Sequence, residues 1–235
     1  MQPTFEILHM PPKSTNSVLL TLGSDAVIFD AWGRAEDWEN MLAQRKLNLR
    51  AIYATHGHGD HISAAPALAE KFNIPWYLNA RDEEMVPEMN GLLNHYGLQP
   101  ISKNYRRPAN LSAGEIEILP GIRASVIETP GHSKGGVAFY FESAAVADFI
   151  VPGSGFGRSA PETVPLQSAP VLIIGDTLFQ EEIGAYHFHG GNLRDLRASI
   201  SKIYDMNLPD DTVVIHGHGM ETTIAWLKEN NKYFR

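Results

Sequence analysis

Alternating apolar and polar residues near the start of the chain predict strands. Residues 5–8, 17–22 and 26–30 are short runs rich in apolar and β-branched side chains, which is the composition that strands favour. Gly23, Ser24 and Asp25 are all that separates the second run from the third, and so short a connection joins antiparallel strands. We therefore expect a sheet that begins with antiparallel strands.

Two segments predict helices. Ser63 is placed to cap a helix that continues to about residue 72, and Asn192 opens another, with Asp195 in a capping position three residues later. The second helix has apolar residues at helical spacing, which we expect to pack in the core: Leu193, Leu196, Ile200 and Ile203. Strands followed by a helix, repeated in two halves, imply two sheets packed face to face with helices outside.

A cluster of metal-competent residues follows one apolar run directly. Residues 49–54 lead into His56, His58, Asp60 and His61. In an extended segment His56 and His58 project to the same side, because side-chain direction repeats every two residues. The intervening glycines allow the backbone to turn sharply and to approach an ion closely. The pattern predicts a metal site, with Asp60 and His61 available for a second ion.

Three later runs end in the same way. The apolar residues at 124–129, 170–175 and 211–217 lead to His132, Asp176 and His218. A lone histidine after a strand is weak support for a metal site, but several strand ends can deliver ligands to one edge of a sheet. Together with the first cluster, these residues predict a shared metal centre at such an edge.

Four motifs, taken in order, resemble those of the metallo-β-lactamase superfamily: His-x-His-x-Asp-His at 56–61, Thr-Pro-Gly-His at 129–132, Gly-Asp-Thr-Leu-Phe at 175–179 and Gly-His-Gly at 217–219. Within it the chain is similar to short-form glyoxalase II (hydroxyacylglutathione hydrolase)-like proteins, which lack a C-terminal helical domain. The resemblance spans nearly the whole chain. It implies an α+β fold, a four-layer αββα sandwich of two mixed, mostly antiparallel sheets with outer helices and with metals at one edge.

The resemblance also implies which side chains bind two metal ions. The first ion would be bound by His56, His58 and His132, the second by Asp60, His61 and His218, and both by Asp176 as a bridge. Imidazoles and carboxylates suit zinc, iron or manganese, and we expect two zinc ions. Two divalent ions about 3.5–4 Å apart lower the pKa of a shared water towards about 7 and present it as a bridging hydroxide. Asp60 is the expected catalytic residue, orienting that hydroxide.

The expected activity is hydrolysis of a thioester of the hydroxyacylglutathione kind. A lactonase or another carboxylic ester hydrolase would use the same bridging hydroxide. A β-lactamase, a persulfide dioxygenase with a single iron, and an inactive binding module are further alternatives. The chain departs from the glyoxalase pattern where Gly184-Ala185-Tyr186-His187 replaces Gly-Arg-x-Asp, and where Lys134 replaces a common proline. Both departures concern substrate binding and leave the metal ligands intact.

Residues for substrate binding are less clearly marked. The candidates are Lys134, Tyr186, His187 and His189, each with a structural role as the alternative. His9, His95 and His216 are interpreted as non-ligands. An irregular segment rich in glycine and proline, residues 143–169, predicts a long loop, which is either a lid over the metal edge or a surface insertion without a role.

Composition narrows the class of protein and of partner. The 235 residues, 43% hydrophobic and 20% charged, suit one soluble domain spanning 1–235. The formal charge of −8 disfavours a nucleic-acid partner, and a small-molecule substrate is expected. No apolar stretch approaches 18 residues and no signal peptide is apparent at the start, so we expect a cytoplasmic protein that does not bind membranes.

Overall fold

The computed structural model describes residues 3–10, 12, 15–146 and 167–235. Six strands form a first sheet in chain order: β1 (Thr4–Met10), β2 (Thr15–Leu22), β3 (Asp25–Phe29), β4 (Asn48–Tyr53), β5 (Trp76–Leu78) and β6 (Ala109–Asn110). The first three strands pair antiparallel, as predicted, and β3 to β6 pair in parallel. This sheet is therefore mixed.

Six further strands form a second sheet, also in chain order: β7 (Gly114–Leu119), β8 (Ile122–Glu128), β9 (Val137–Val146), β10 (Gln167–Gly175), β11 (Val213–His216) and β12 (Thr222–Thr223). All neighbours pair antiparallel except β10 and β11, which are parallel. The end of β9 also pairs in parallel with the start of β1, where Ala145 lies opposite Thr4. The two sheets are thus hydrogen-bonded to each other at one corner.

The two sheets pack face to face around an apolar interior. Side chains alternate along a strand, so Val171 and Ile173 of β10 lie in this interior together with Phe29 of the first sheet. Leu172 and Ile174 face the other way and belong to a separate cluster. Each sheet therefore has one face buried against the other sheet and a second apolar face against which helices pack.

Seven α-helices are present in the described residues: α1 (Ala35–Arg45), α2 (Gly59–Ile62), α3 (Ala65–Lys71), α4 (Ala80–Glu83), α5 (Asn90–His95), α6 (Leu193–Asp205) and α7 (Ile224–Asn230). A short 3-10 helix covers Val86–Met89. Trp38 of α1 and Leu68 of α3 pack on the outer face of the first sheet, and Ile200 of α6 and Leu227 of α7 on that of the second. The predicted αββα sandwich is confirmed.

The helix predicted after Asn192 is also confirmed. The Asn192 side chain accepts hydrogen bonds from the backbone N–H groups of Arg194 and Asp195, which is the contact expected of an N-cap. Leu196, Ile200 and Ile203 are buried in the cluster under the second sheet, whereas Leu193, in the first turn, is only partly buried.

The predicted start of the helix, with Ser63 as its cap, is wrong. The helix begins at Ala65, and Ser63 does not cap it. Instead Ser63 Oγ accepts a hydrogen bond from the backbone N–H of Gly33 and donates one to the Gly33 carbonyl, at 2.9 and 3.1 Å. A separate single turn, α2, precedes it and carries Asp60 and His61.

The long loop predicted over residues 143–169 is wrong at both ends. Strand β9 continues to Val146 and β10 begins at Gln167. The two ends pair with each other, with Gln167 opposite Val146 and Ala169 opposite Ala144. Pairing between the two backbones therefore forms strands where the local sequence pattern does not predict them. The rest of the segment, residues 147–166, lies outside the described residues, and so does the proposed lid. Within the described part of the chain, no helix is both long and apolar enough to cross a membrane.

Candidate metal centre

The seven predicted ligands lie together at one edge of the sandwich. His56 and His58 follow the end of β4, and α2 carries Asp60 and His61. Three strands of the second sheet supply the remaining residues. His132 follows β8, Asp176 comes directly after β10, and His218 lies two residues beyond β11. The segments that follow strands in both sheets therefore bring these residues to one edge.

The ligating atoms form three overlapping groups. His56, His58 and His132 make one, His56, His61 and Asp176 a second, and Asp60, His61 and His218 a third. Within each group the nitrogen and carboxylate oxygen atoms lie within 4.8 Å of one another. Three or more such donors at this separation can share one cation.

Asp176 lies between the outer two groups. Its Oδ2 is 3.5 Å from His132 Nε2 and 3.4 Å from His218 Nε2, and its Oδ1 is 3.4 Å from His61 Nε2. Asp60 Oδ2 is 3.3 Å from the same His218 nitrogen. Asp176 Oδ2 therefore lies between His132 of the first group and His218 of the third, a position from which this carboxylate could contact a cation on either side.

Backbone and carboxylate acceptors fix which nitrogen of two imidazoles faces the cluster. His132 Nδ1 donates to the carbonyl of Ala185 at 2.6 Å, and His61 Nδ1 lies 2.9 Å from a carboxylate oxygen of Asp30. In a neutral imidazole the other nitrogen, Nε2, then carries the lone pair. Such partners orient metal-binding histidines generally. The Nε2 atoms of His132 and His61 are thereby presented to the cluster as ligands.

Burial and neighbouring charges set the protonation of the cluster. Burial lowers the pKa of His56 well below its usual value and that of His58 to about 4, and nearby imidazoles add to the effect. These two rings are neutral at pH 7. For Asp176, burial acts to raise the pKa, but the nearby imidazoles of His61 and His218 outweigh it and hold the pKa well below its usual value. Burial acts to lower the pKa of His61 and His218, but the carboxylates beside them outweigh it and raise the pKa of His61 well above its usual value and that of His218 to about 9. A cation that binds here would displace a proton from each of these two rings.

Several buried atoms of the cluster have no hydrogen-bond partner within the described structure. They include His56 Nε2, His61 Nε2 and Asp176 Oδ1. A buried polar atom without a partner costs about 1–3 kcal/mol, so such atoms are rarely left together unless something binds them. Five imidazoles and two carboxylates are the donor types that zinc, iron and manganese accept. The residues therefore fit divalent metal ions.

The four residues predicted to bind substrate are exposed, and two of them form ion pairs with glutamates. Lys134 is exposed and its Nζ lies 2.8 Å from Glu84 Oε1, and His189 is 3.3 Å from Glu88. Tyr186 and His187 are exposed on the same loop. In the described contacts, none of the four touches a candidate metal-binding atom of the cluster.

Sequence reasoning missed two residues at the site. Phe188 is 54% exposed, and its ring centroid lies 6.0 Å from that of His58 and 6.5 Å from that of His132. Asp30, the partner of His61, directly follows β3 and is buried. Asp30 has the same signal as Asp176, an acid after a buried strand. Phe188 has no distinguishing pattern.

The histidines interpreted as non-ligands lie outside the three groups. His216 shows why most clearly. Its Nδ1 lies 2.6 Å from the carbonyl oxygen of Leu178 and its Nε2 lies 3.0 Å from the hydroxyl of Thr222. Both ring nitrogens are held by the protein, so neither is available to an ion.

The chain is similar in sequence to known proteins. The family model described as the metallo-beta-lactamase superfamily matches residues 10–147. The hydroxyacylglutathione hydrolase GloC of Haemophilus influenzae is 29% identical over 211 residues, which cover 89% of this chain and 87% of that protein.

Two solved structures are similar over almost their full length. The BLEG-1 B3 metallo-beta-lactamase is 30% identical, with a TM-score of 0.76, and the match covers 98% of this chain and 99% of that one. TTHA1623 in a di-iron-bound form is 26% identical, with a TM-score of 0.74 and coverage of 97% and 98%. The fold is thus shared with proteins of more than one named activity.

Proposed function

The chain belongs to the metallo-β-lactamase superfamily, and from that premise we propose that it is a hydrolase with two divalent metal ions, acting on thioesters of the hydroxyacylglutathione kind. The observation that carries the proposal is the position of Asp176, whose carboxylate lies within 3.5 Å of imidazole nitrogens from both sides of the cluster. A single carboxylate so placed could hold two ions together.

We assign zinc as the metal, since the imidazole and carboxylate donors suit it. Iron is the main alternative, because TTHA1623 has been seen in a di-iron form and the same donor types accept iron. His56, His58 and His132 would hold one ion, Asp60, His61 and His218 the other, and Asp176 both. The metal content of protein purified without added metal distinguishes zinc from iron.

When bound, two divalent ions polarise a carbonyl group and lower the pKa of a coordinated water. The protein orients the participants. We assign Asp60 the role of holding a proton of the attacking water through the carboxylate oxygen that does not face His218. Phe188, at the mouth beside His58 and His132, forms an apolar wall for the acyl part of the substrate and keeps bulk water from that side.

The hydroxyl groups beside the cluster do not supply a nucleophile in this proposal. Residues 131–135 match the pattern Gly-x-Ser-x-Gly, but they connect two strands, whereas a serine elbow joins a strand to a helix. Ser133 Oγ is buried and donates to Asp82 at 2.7 Å. Thr55 Oγ1 likewise donates to Asp30 at 2.8 Å. Water is therefore the nucleophile that the site supports best.

The thioester substrate rests on likeness to GloC, which covers most of both chains. The first test measures metal content and hydrolysis of S-D-lactoylglutathione together, with Asp176→Ala as the inactive variant. Asp210→Ala is the matched control, because that carboxylate is exposed and pairs with Lys228. We expect two metals per chain and turnover that only Asp176→Ala abolishes.

Other outcomes would redirect the assignment. Two metals without turnover of the thioester would exclude that substrate and point to lactones or other esters. One iron per chain would contradict the two-metal hydrolase and favour a persulfide dioxygenase. Turnover that survives Asp176→Ala would show that the reaction does not use this centre.

A β-lactamase is the second candidate, favoured by the likeness to BLEG-1 over almost both chains. The discriminating assay is hydrolysis of a chromogenic cephalosporin by the same metal-loaded preparation. Turnover of the cephalosporin that exceeds thioester turnover in kcat/KM would replace the thioesterase proposal. Absence of cephalosporin turnover would remove this candidate.

A further inference from the structure

Asp82, on helix α4, is a buried acid outside the ligand cluster. It is 1% exposed. Its Oδ2 accepts hydrogen bonds from the backbone N–H of Gly57 at 2.9 Å and from Ser133 Oγ at 2.7 Å, and its Oδ1 accepts one from the backbone N–H of Gly135 at 2.6 Å. A buried carboxylate is costly unless hydrogen-bonded, and here three donors from two loops satisfy it.

The two loops are those that carry the first group of ligands. Gly57 lies between His56 and His58, after β4 of the first sheet, and Ser133 directly follows His132, after β8 of the second. Asp82 therefore joins loops that belong to different sheets. Across this junction His58 Nδ1 and His132 Nε2 lie only 2.8 Å apart.

A glycine in each loop lets Asp82 approach that loop closely. A Cβ atom on Gly57 would lie 2.9 Å from the Cβ of Asp82, and one on Gly135 would lie 2.8 Å from its Cγ. Real Cβ atoms do not approach so closely, so any other residue at either position would push Asp82 away. Glycine at both positions and a short acid between them form one unit.

We propose that Asp82 is a positioning residue that holds the His56–His58 loop against the His132 loop and so sets the affinity of the first metal site. The inference rests on the proposed function, because it assumes that this group binds an ion. Its mechanism is the alignment of backbone beside the ligands: three charge-assisted hydrogen bonds fix the peptide groups from which the imidazoles project. The other group, Asp60, His61 and His218, has no described hydrogen bond to Asp82.

Asp82→Asn tests this with little change of shape. An amide keeps one acceptor oxygen, and its NH₂ must then face either the Gly57 or the Gly135 N–H group, donor against donor. We expect roughly 10- to 100-fold weaker binding of one ion, the range seen when groups supporting metal ligands are removed. Binding of the second ion should be unchanged.

The experiment titrates chelator-stripped protein with Co²⁺ and follows stepwise binding by calorimetry and by the visible spectrum of bound cobalt. Asn79→Ala is the matched control, because Asn79 is a buried polar residue that caps the same helix and donates to the Leu111 carbonyl, outside the ligand loops. Equal loss of cobalt binding in Asn79→Ala and Asp82→Asn would overturn the proposal, since the loss would then follow general disturbance of α4.

Combining Asp82→Asn with a second substitution that disables one metal site identifies which site it weakens. In His218→Ala, which retains the first group, adding Asp82→Asn should weaken the remaining ion by the same factor as in the wild type. In His58→Ala, which impairs the first group, adding it should have no effect on the remaining ion. The opposite pattern would place the influence of Asp82 on the second site and refute the inference.

A milder variant covers the case in which Asp82→Asn fails to fold. Ser133→Ala removes one of the three hydrogen bonds, and we expect a loss of several-fold in the same binding step. An unchanged affinity there would overturn the proposal. Wild-type protein that binds no cobalt would instead refute the proposed function, so the two failures are distinguishable.

Discussion

Asp30 offers the sharpest test of how the ligands are prepared for metal. It is buried, and its Oδ1 accepts the backbone N–H of Thr55 at 2.7 Å. Its Oδ2 accepts the Thr55 hydroxyl at 2.8 Å and lies 2.9 Å from His61 Nδ1. An ionised carboxylate only accepts hydrogen bonds. His61 Nδ1 must therefore carry a proton, so that when a bound cation displaces the proton on the other nitrogen the lone pair is on Nε2, towards Asp176.

Asp30→Asn preserves the shape and reverses this arrangement. With its oxygen kept on the Thr55 N–H, the new NH₂ group faces His61 Nδ1 as a donor, so Nδ1 must accept and the proton moves to Nε2. That N–H then points at Asp176 Oδ1, 3.4 Å away, where the ligand lone pair is needed. The flipped amide would leave the buried Thr55 N–H without an acceptor, which costs about 1–3 kcal/mol.

The expected consequence is selective. Affinity for the ion bound by His61 should fall roughly 10- to 100-fold, or about 1.4–2.7 kcal/mol, while the free energy of unfolding without metal falls by about 1–2 kcal/mol. Cobalt titration measures the first quantity and urea unfolding in the presence of a chelator the second. Asp25→Asn, at the partly exposed start of the same strand and paired with Arg50, should change neither. Wild-type cobalt affinity in Asp30→Asn would refute the tautomer argument.

Two further predictions concern the mouth of the site and its support. Phe188→Ala should raise KM by about 3- to 10-fold, the equivalent of roughly 1 kcal/mol of aromatic contact, with little change in kcat. Phe72→Ala removes another exposed ring and should leave both constants unchanged. A lower kcat at constant KM in Phe188→Ala would contradict this prediction. Gly131→Ala should lower stability by about 2–6 kcal/mol, since its φ is 133° and its new Cβ would meet the backbone nitrogen of Leu196 at 2.1 Å. Gly121→Ala, also at positive φ but with open space around its Cβ, should cost only about 1 kcal/mol, and equal losses in thermal unfolding would exclude the steric argument.

The gathering of seven residues at one edge could be predicted because the signal is local. Each residue or pair follows an apolar run, and strands of a sandwich end at shared edges. His132, Asp176 and His218 are individually weak signals that gain strength from the cluster at 56–61. Asp30 has the same local signal but stands alone in its segment, and a single acid after a strand is too common to single out.

Asp82 and the ends of the 143–169 segment could not be predicted for the opposite reason. Asp82 lies in the polar run 79–84, which is typical of an exposed turn, and its partners are 25, 51 and 53 residues away along the chain. Gln167 and Val146 pair across a similar gap. Contacts of this separation depend on the assembled sheets, and no periodicity in the chain reports them.

Two buried carboxylates thus support different halves of one centre, and their combination is the decisive test of that division. Asp30 orients the ring of His61, which belongs with Asp60 and His218, and Asp82 holds the backbone of the loops that carry His56, His58 and His132. If the two act separately, the variant with both changes should bind both ions more weakly, each by the factor found in the single variant. Thr55, which Asp30 contacts, and Gly57, which Asp82 contacts, are two residues apart. If either single change weakened both ions, the segment between them would move as a unit, and the division into two supported halves would be wrong.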